Sequence, residues 1–89
     1  MARHVFTTLV EDSLEAIIKV LLTTRQAQAR LISAEVSDPG IENVKLLTMS
    51  VSIKPEKAEW LKRKLSNLPT VLEANYIEVG TGLKERTIM

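Results

Sequence analysis

Apolar and polar residues alternate along four stretches of this chain and recur at helical spacing along two. His4 to Val10, "HVFTTLV", is short and rich in β-branched and aromatic residues, so it reads as a strand. Asp12-Ser13-Leu14-Glu15 follows, an acidic N-cap with Glu three residues on, the pattern of a capping box. Leu14, Ile17, Ile18, Leu21 and Leu22 then fall on one helical stripe, predicting a helix to about Arg25 with no glycine to end it. "ARLISAEVS" alternates, with Ile32, Ala34 and Val36 on one side and Leu31, Ser33 and Glu35 on the other. Asp38-Pro39-Gly40 marks a turn. "KLLTMSVSIK" is the clearest strand, with Leu47, Met49, Val51 and Ile53 facing one way and Thr48, Ser50 and Ser52 the other. Pro55 suits the first position of a second helix, whose stripe is Ala58, Leu61, Leu65 and Leu68, and Pro69 stops it. "TVLEANYIEV" is the last strand.

The predicted order is strand–helix–strand–strand–helix–strand. With right-handed crossovers this is a ferredoxin-like βαββαβ sandwich of the α+β class: a four-stranded antiparallel sheet with two helices on one face. The helices are expected over Leu47, Met49, Val51 and Ile53. The opposite face, seen through Thr48, Ser50 and Ser52, is small and polar, free to be solvated or to meet another subunit. One domain over residues 1–79 and a tail over 80–89 ("GTGLKERTIM") complete the expected organisation.

Composition narrows the function classes. Of 89 residues, 12 are basic and 11 acidic, a net charge of +1 that sets up no strong field toward nucleic acid or anionic lipid. There is no cysteine, which removes disulfides, thiolate metal sites and cysteine nucleophiles together. No apolar run reaches the length of a signal peptide or a membrane span. A soluble cytoplasmic protein without cofactors is the expectation.

Candidate chemistry is sparse. His4 is the single histidine; it is a conceivable general base, although a solvated or hydrogen-bonded structural role is the plainer reading. An enzyme of this fold would have to work with His4, or with Arg3 and Glu35. Lys62-Arg63-Lys64 reads as a solvated helix face balanced by Glu56 and Glu59 rather than a phosphate grip. RNA-binding domains of this topology need aromatic platforms on the open sheet face, and here the aromatics are Phe6, Trp60 and Tyr76. Trp60 sits off the buried stripe, beside Lys57 and Lys64. It either serves a protein interface or covers the edge of the core while its neighbours snorkel.

The opening "RHVFTTLVEDSLEAIIKVLLTTRQ" resembles the start of the ACT domain that begins acetolactate synthase (acetohydroxyacid synthase) small subunits. The likeness rests on Arg3, His4, Leu9, Val10, Glu11, Asp12, Ala16, Ile17, Val20 and Arg25. "LLTMSVSI" and "LSNLPTVLEANYIE" resemble later parts of that family, so the resemblance runs from Arg3 to Val79. It implies a non-catalytic regulatory domain that binds a branched-chain amino acid at the first strand–helix corner, here Glu11, Asp12, Ser13, Leu14 and Glu15, against a neighbouring subunit. It also implies a homodimer and, as partner, the catalytic subunit of a thiamine-diphosphate-dependent synthase of branched-chain amino acid biosynthesis, with neither nucleic acid nor membrane. The family's corner reads Asn/Asp-x-Pro-Gly. Here Leu14 stands at the proline and Glu15 at the glycine, whose missing Cβ would admit a ligand to the backbone, and a second family glycine is Gln26. Glu15 is therefore expected to cap its own helix and to weaken effector binding. The edge strand Ala29–Ser37 is the candidate for sheet continuation, with Ile32, Ala34 and Trp60 as interface residues. A stand-alone amino-acid-binding module for another enzyme or a regulator is the second reading. One domain of this kind, without the second domain of many small subunits, is expected to be a short form or a stand-alone relative.

Overall fold

The computed structural model describes residues 2–79; the tail expected over 80–89 lies outside them. Strand β1 (Ala2–Glu11) leads into helix α1 (Leu14–Gln26), strands β2 (Arg30–Ser37) and β3 (Val44–Ile53), helix α2 (Pro55–Ser66) and strand β4 (Val71–Val79). The sheet order is β2-β3-β1-β4 and every neighbouring pair is antiparallel. This is the βαββαβ ferredoxin-like fold expected from the alternation. β1 and β3 are its central strands, and β2 and β4 are its edges.

The core lies between the sheet and the helices. β1 contributes Phe6 and Val10, β3 contributes Leu47, Met49, Val51 and Ile53, and α2 contributes Ala58, Leu61 and Leu65, all buried. The period-2 pattern therefore points at the helices as read. Pro55 takes the first turn of α2, where its missing N–H costs nothing. Leu68 packs against the core from beyond the helix end. At the β2–β3 connection Gly40 has φ +84°, and its N–H donates to Asp38 Oδ1 at 2.9 Å. The Asp side chain thus closes the turn that the sequence announces.

Helix α1 departs from its expected packing. The face turned to the sheet carries Ala16, Val20, Thr23 and Thr24, followed by Ala27 at the C-cap. The stripe of Leu14, Ile17, Ile18, Leu21 and Leu22 is not the buried one. Ile17 and Leu21 are half-buried at the margin of the core, while Leu14, Ile18 and Leu22 are 74%, 45% and 52% exposed. Small residues let the helix lie close to the sheet. The buried threonines are satisfied locally: Thr23 Oγ1 donates to the Lys19 carbonyl and Thr24 Oγ1 to that of Val20, each at 2.8 Å. Gln28, at φ 59°, adopts the left-handed conformation that glycine commonly supplies beyond a helix end.

The sidedness of β2 also differs from simple alternation. Leu31 pairs with Val51 and Ser33 with Ser50, so Ile32 is an extra residue at a bulge. Leu31, Ala34 and Val36 then share the helix side of the sheet, and Arg30, Ser33, Glu35 and Ser37 share the open side. Every residue of β2 is exposed, so neither helix covers this edge.

Candidate functional site

The β1–α1 corner is built by hydrogen bonds that fix its backbone. The Glu11 N–H donates to the Thr70 carbonyl at 2.9 Å, that of Asp12 to Asn43 at 2.9 Å, and that of Ser13 to Glu11 at 2.8 Å. Ser13, not Asp12, is the N-cap: its backbone is extended, and its Oγ accepts from the Ala16 N–H at 3.1 Å. The shift by one residue follows from β1, which stays paired with β3 through Glu11 opposite Val44 and leaves Asp12 bound to the next loop. With Ser13 as cap, the third helical position is Ala16, so the expected capping box does not close. Glu15 does not cap; it pairs with Lys19 at 3.5 Å on the surface. Asp12 instead faces Lys45 at 3.7 Å, which also meets Asp38 at 3.9 Å.

Five amides of the corner, those of Glu11, Asp12, Ser13, Ala16 and Ile17, are thus engaged within the chain. The Leu14 and Glu15 amides remain at the helix start, where a carboxylate ligand is electrostatically favoured. Glu15 places its own negative charge beside them, with the side chain 76% exposed. The five candidate effector residues are contiguous and accessible, but the corner is tied to its neighbours and carries charge of the wrong sign for an amino-acid carboxylate.

The residues weighed for catalysis are separated by the sheet. His4 is buried on the helix side, where its Nδ1 lies 3.2 Å from the Ala2 carbonyl and its ring 5.6 Å from that of Tyr76. Arg3, the adjacent residue of β1, points to the open face, and its Nε donates to Ser50 Oγ at 3.0 Å. Glu35 shares that face but sits on β2, beyond β3 and level with Thr48 rather than with Arg3's neighbour Ser52. Tyr76 stacks on Phe6 and donates to Glu59 Oε1 at 3.2 Å. Burial, the bond to Glu59 and the charges of Glu59 and Glu78 raise its pKa above the ordinary 10.0.

Of the three interface candidates, Ile32 is 50% exposed at the bulge and Ala34 is exposed on the helix side of β2. Trp60 is half-buried against the core, with the Lys57 and Lys64 ammonium groups 5.1 and 5.5 Å from its ring centroid. Its two sequence readings therefore meet: it covers the edge of the core and its outer side is occupied by cations. The residues missed as surface features are Leu14, Ile18 and Leu22. With Leu31 and Val36, 48% and 47% exposed on the helix side of β2, they leave large aliphatic side chains uncovered on α1 and on an edge strand. A second helical stripe, Ala16–Val20–Thr23–Ala27, was the signal available in the sequence. On the open face, a shallow depression of about 150 Å³ is lined by Thr7, Leu9, Leu46, Glu73 and Asn75.

No family model matches the sequence, and no curated protein matches it. Solved structures do match its fold. The ACT domain of a GTP pyrophosphokinase from Chlorobium tepidum superposes with a TM-score of 0.72 at 10% identity, over 85% of this chain and 97% of that one. The acetolactate synthase small subunit of Thermotoga maritima gives 0.75 at 16% identity, over 85% of this chain and 47% of that one. The C-terminal domain of MgtC from Mycobacterium tuberculosis gives 0.68 at 18% identity, over 89% and 88%. At these identities the likeness is one of fold, and that fold is the ACT type.

Proposed function

We propose that this chain is a non-catalytic ACT module that self-associates and regulates or stabilises acetolactate synthase in the cytoplasm. The observation that carries the reading is the inverted packing of α1, with small residues toward the sheet and Leu14, Ile18 and Leu22 toward solvent. A helix that needed only to cover its own core would turn the large aliphatics inward, since each buried one is worth about 1.5–3 kcal/mol. Beside it, β2 offers an unpaired edge with Leu31, Ala34 and Val36 on the same side of the sheet. A second copy related by a two-fold axis at that edge continues the sheet and covers both aliphatic sets. Arg30 and Glu35 lie toward opposite ends of β2 on the open side, so antiparallel pairing of two copies brings unlike charges together.

The choice of acetolactate synthase rests on the resemblance between Arg3 and Val79, and the similarity to the Thermotoga maritima small subunit supports it. The crowded, acidic corner favours action through protein contacts over amino-acid sensing there. Mixing the chain with an acetolactate synthase catalytic subunit from the same source should raise the rate of acetolactate formation. Calorimetry with valine, leucine or isoleucine should give no saturable heat. An unchanged rate would contradict the regulatory role, and saturable binding would favour the amino-acid-binding module instead.

A further inference from the structure

The open face of the sheet is not the uniformly small, polar surface that β3 alone suggests. Neighbouring strands place Val5 beside Ser50 and Ile77, and Leu9 beside Leu46 and Glu73. Ile77 is 65% exposed, and Val5, Leu9 and Leu46 are half-buried by their neighbours. Charge on this face is sorted along the strands. Arg30 and Arg3 flank Ser52 at one end, whereas Glu11 and Glu73 lie at the other, and Glu35 is nearer the acidic end.

We infer that this face is a second self-association surface, occupied by the open face of another copy. A two-fold axis between the sheets, parallel to their planes and running across the strands, reverses strand direction from one layer to the next. It lays the Arg3–Arg30 end of each copy over the Glu11–Glu73 end of the other, Val5 over Leu9, and Ile77 over Glu73. The same charges oppose a stack with both copies in one orientation, because Arg would then face Arg. Thr7 and Thr48 in the middle are small enough for sheets to pack at about 10 Å. Four strands about 4.8 Å apart, each eight to ten residues long, present a face of roughly 500–600 Å². Two such faces bury on the order of 1,100 Å², just above the ~1,000 Å² expected of a specific interface.

This surface is separate from the β2 edge and the outer side of α1. Its two-fold is perpendicular to the axis of an edge-paired dimer, and with both axes meeting near mid-strand the two contacts together close at four copies. The test is sedimentation equilibrium of the 89-residue chain with Ile77→Glu, Arg3→Glu, Glu11→Arg and the Arg3→Glu/Glu11→Arg pair, each confirmed folded by circular dichroism. Four copies are expected for the unaltered chain. Ile77→Glu, which sets a carboxylate over Glu73 of the other copy, and each single charge reversal should weaken the assembly about tenfold or more, leaving two copies, and the double reversal should restore four. An unaltered mass in Ile77→Glu overturns the inference and leaves edge pairing standing. A fall from two copies to one in Ile77→Glu supports the face and removes the edge contact.

Discussion

Ser13 holds the first turn of α1 through the single bond that its Oγ accepts from the Ala16 N–H. Ser13→Ala should therefore lower the unfolding free energy by about 1 kcal/mol. Asp12→Ala, which removes a partly exposed pair with Lys45, should cost no more than about 0.5 kcal/mol. Urea denaturation with unchanged m-values separates the two. Tyr76 gives a pH signature. Burial first, then the bond to Glu59 and the charges of Glu59 and Glu78, raises its pKa above 10.0 in the folded chain. The folded state thus holds the phenolic proton more tightly than the unfolded state does. This contribution is complete below the unfolded pKa and is lost as pH rises through the raised folded value. Between the original chain and Tyr76→Phe, the difference in stability should be constant at neutral pH and shrink above about pH 10. A difference that grows with alkaline pH would contradict the assignment.

Among the elements, β3 and α2 were the most legible. A strand buried on one face must alternate, and Leu47, Met49, Val51 and Ile53 have no other way to reach the core. For α2, Ala58, Leu61 and Leu65 form its apolar stripe, and Pro55 and Pro69 bracket it. Helix α1 was misread because periodicity finds a stripe without saying what covers it. The chain carries one small and one large stripe on α1, and close approach to the sheet selects the small one. The bulge at Ile32 is likewise invisible to a period-2 count, since one extra residue reverses the sides of everything before it. The corner was located correctly, but the cap moved to Ser13 because strand pairing through Glu11 outranks a local capping pattern. The two faces of α1 should respond oppositely to substitution. Ala16→Leu overpacks the close contact with the sheet and should cost about 1–3 kcal/mol. Ile18→Glu with Leu22→Glu should leave the helical circular dichroism intact. Loss of fold in the second variant would mean that those side chains serve the core.

At the scale of the whole molecule, the two helices of the described residues cover one face of their four-stranded sheet and leave Leu14, Ile18 and Leu22 of α1 and the β2 edge exposed. His4 is enclosed on one side of the sheet while Arg3 and Glu35 lie on the other, and no helix of the described residues is long and apolar enough to cross a membrane. The proposed regulatory action depends on a second copy occupying the β2 edge and the outer side of α1. Amide hydrogen exchange along β2 reads that occupancy directly, because an edge amide pointing away from β3 is protected only when another strand accepts its hydrogen. In the unaltered chain those amides should exchange slowly at concentrations where copies associate, and quickly in Ile18→Glu/Leu22→Glu. Fast exchange at every concentration in the unaltered chain would contradict it.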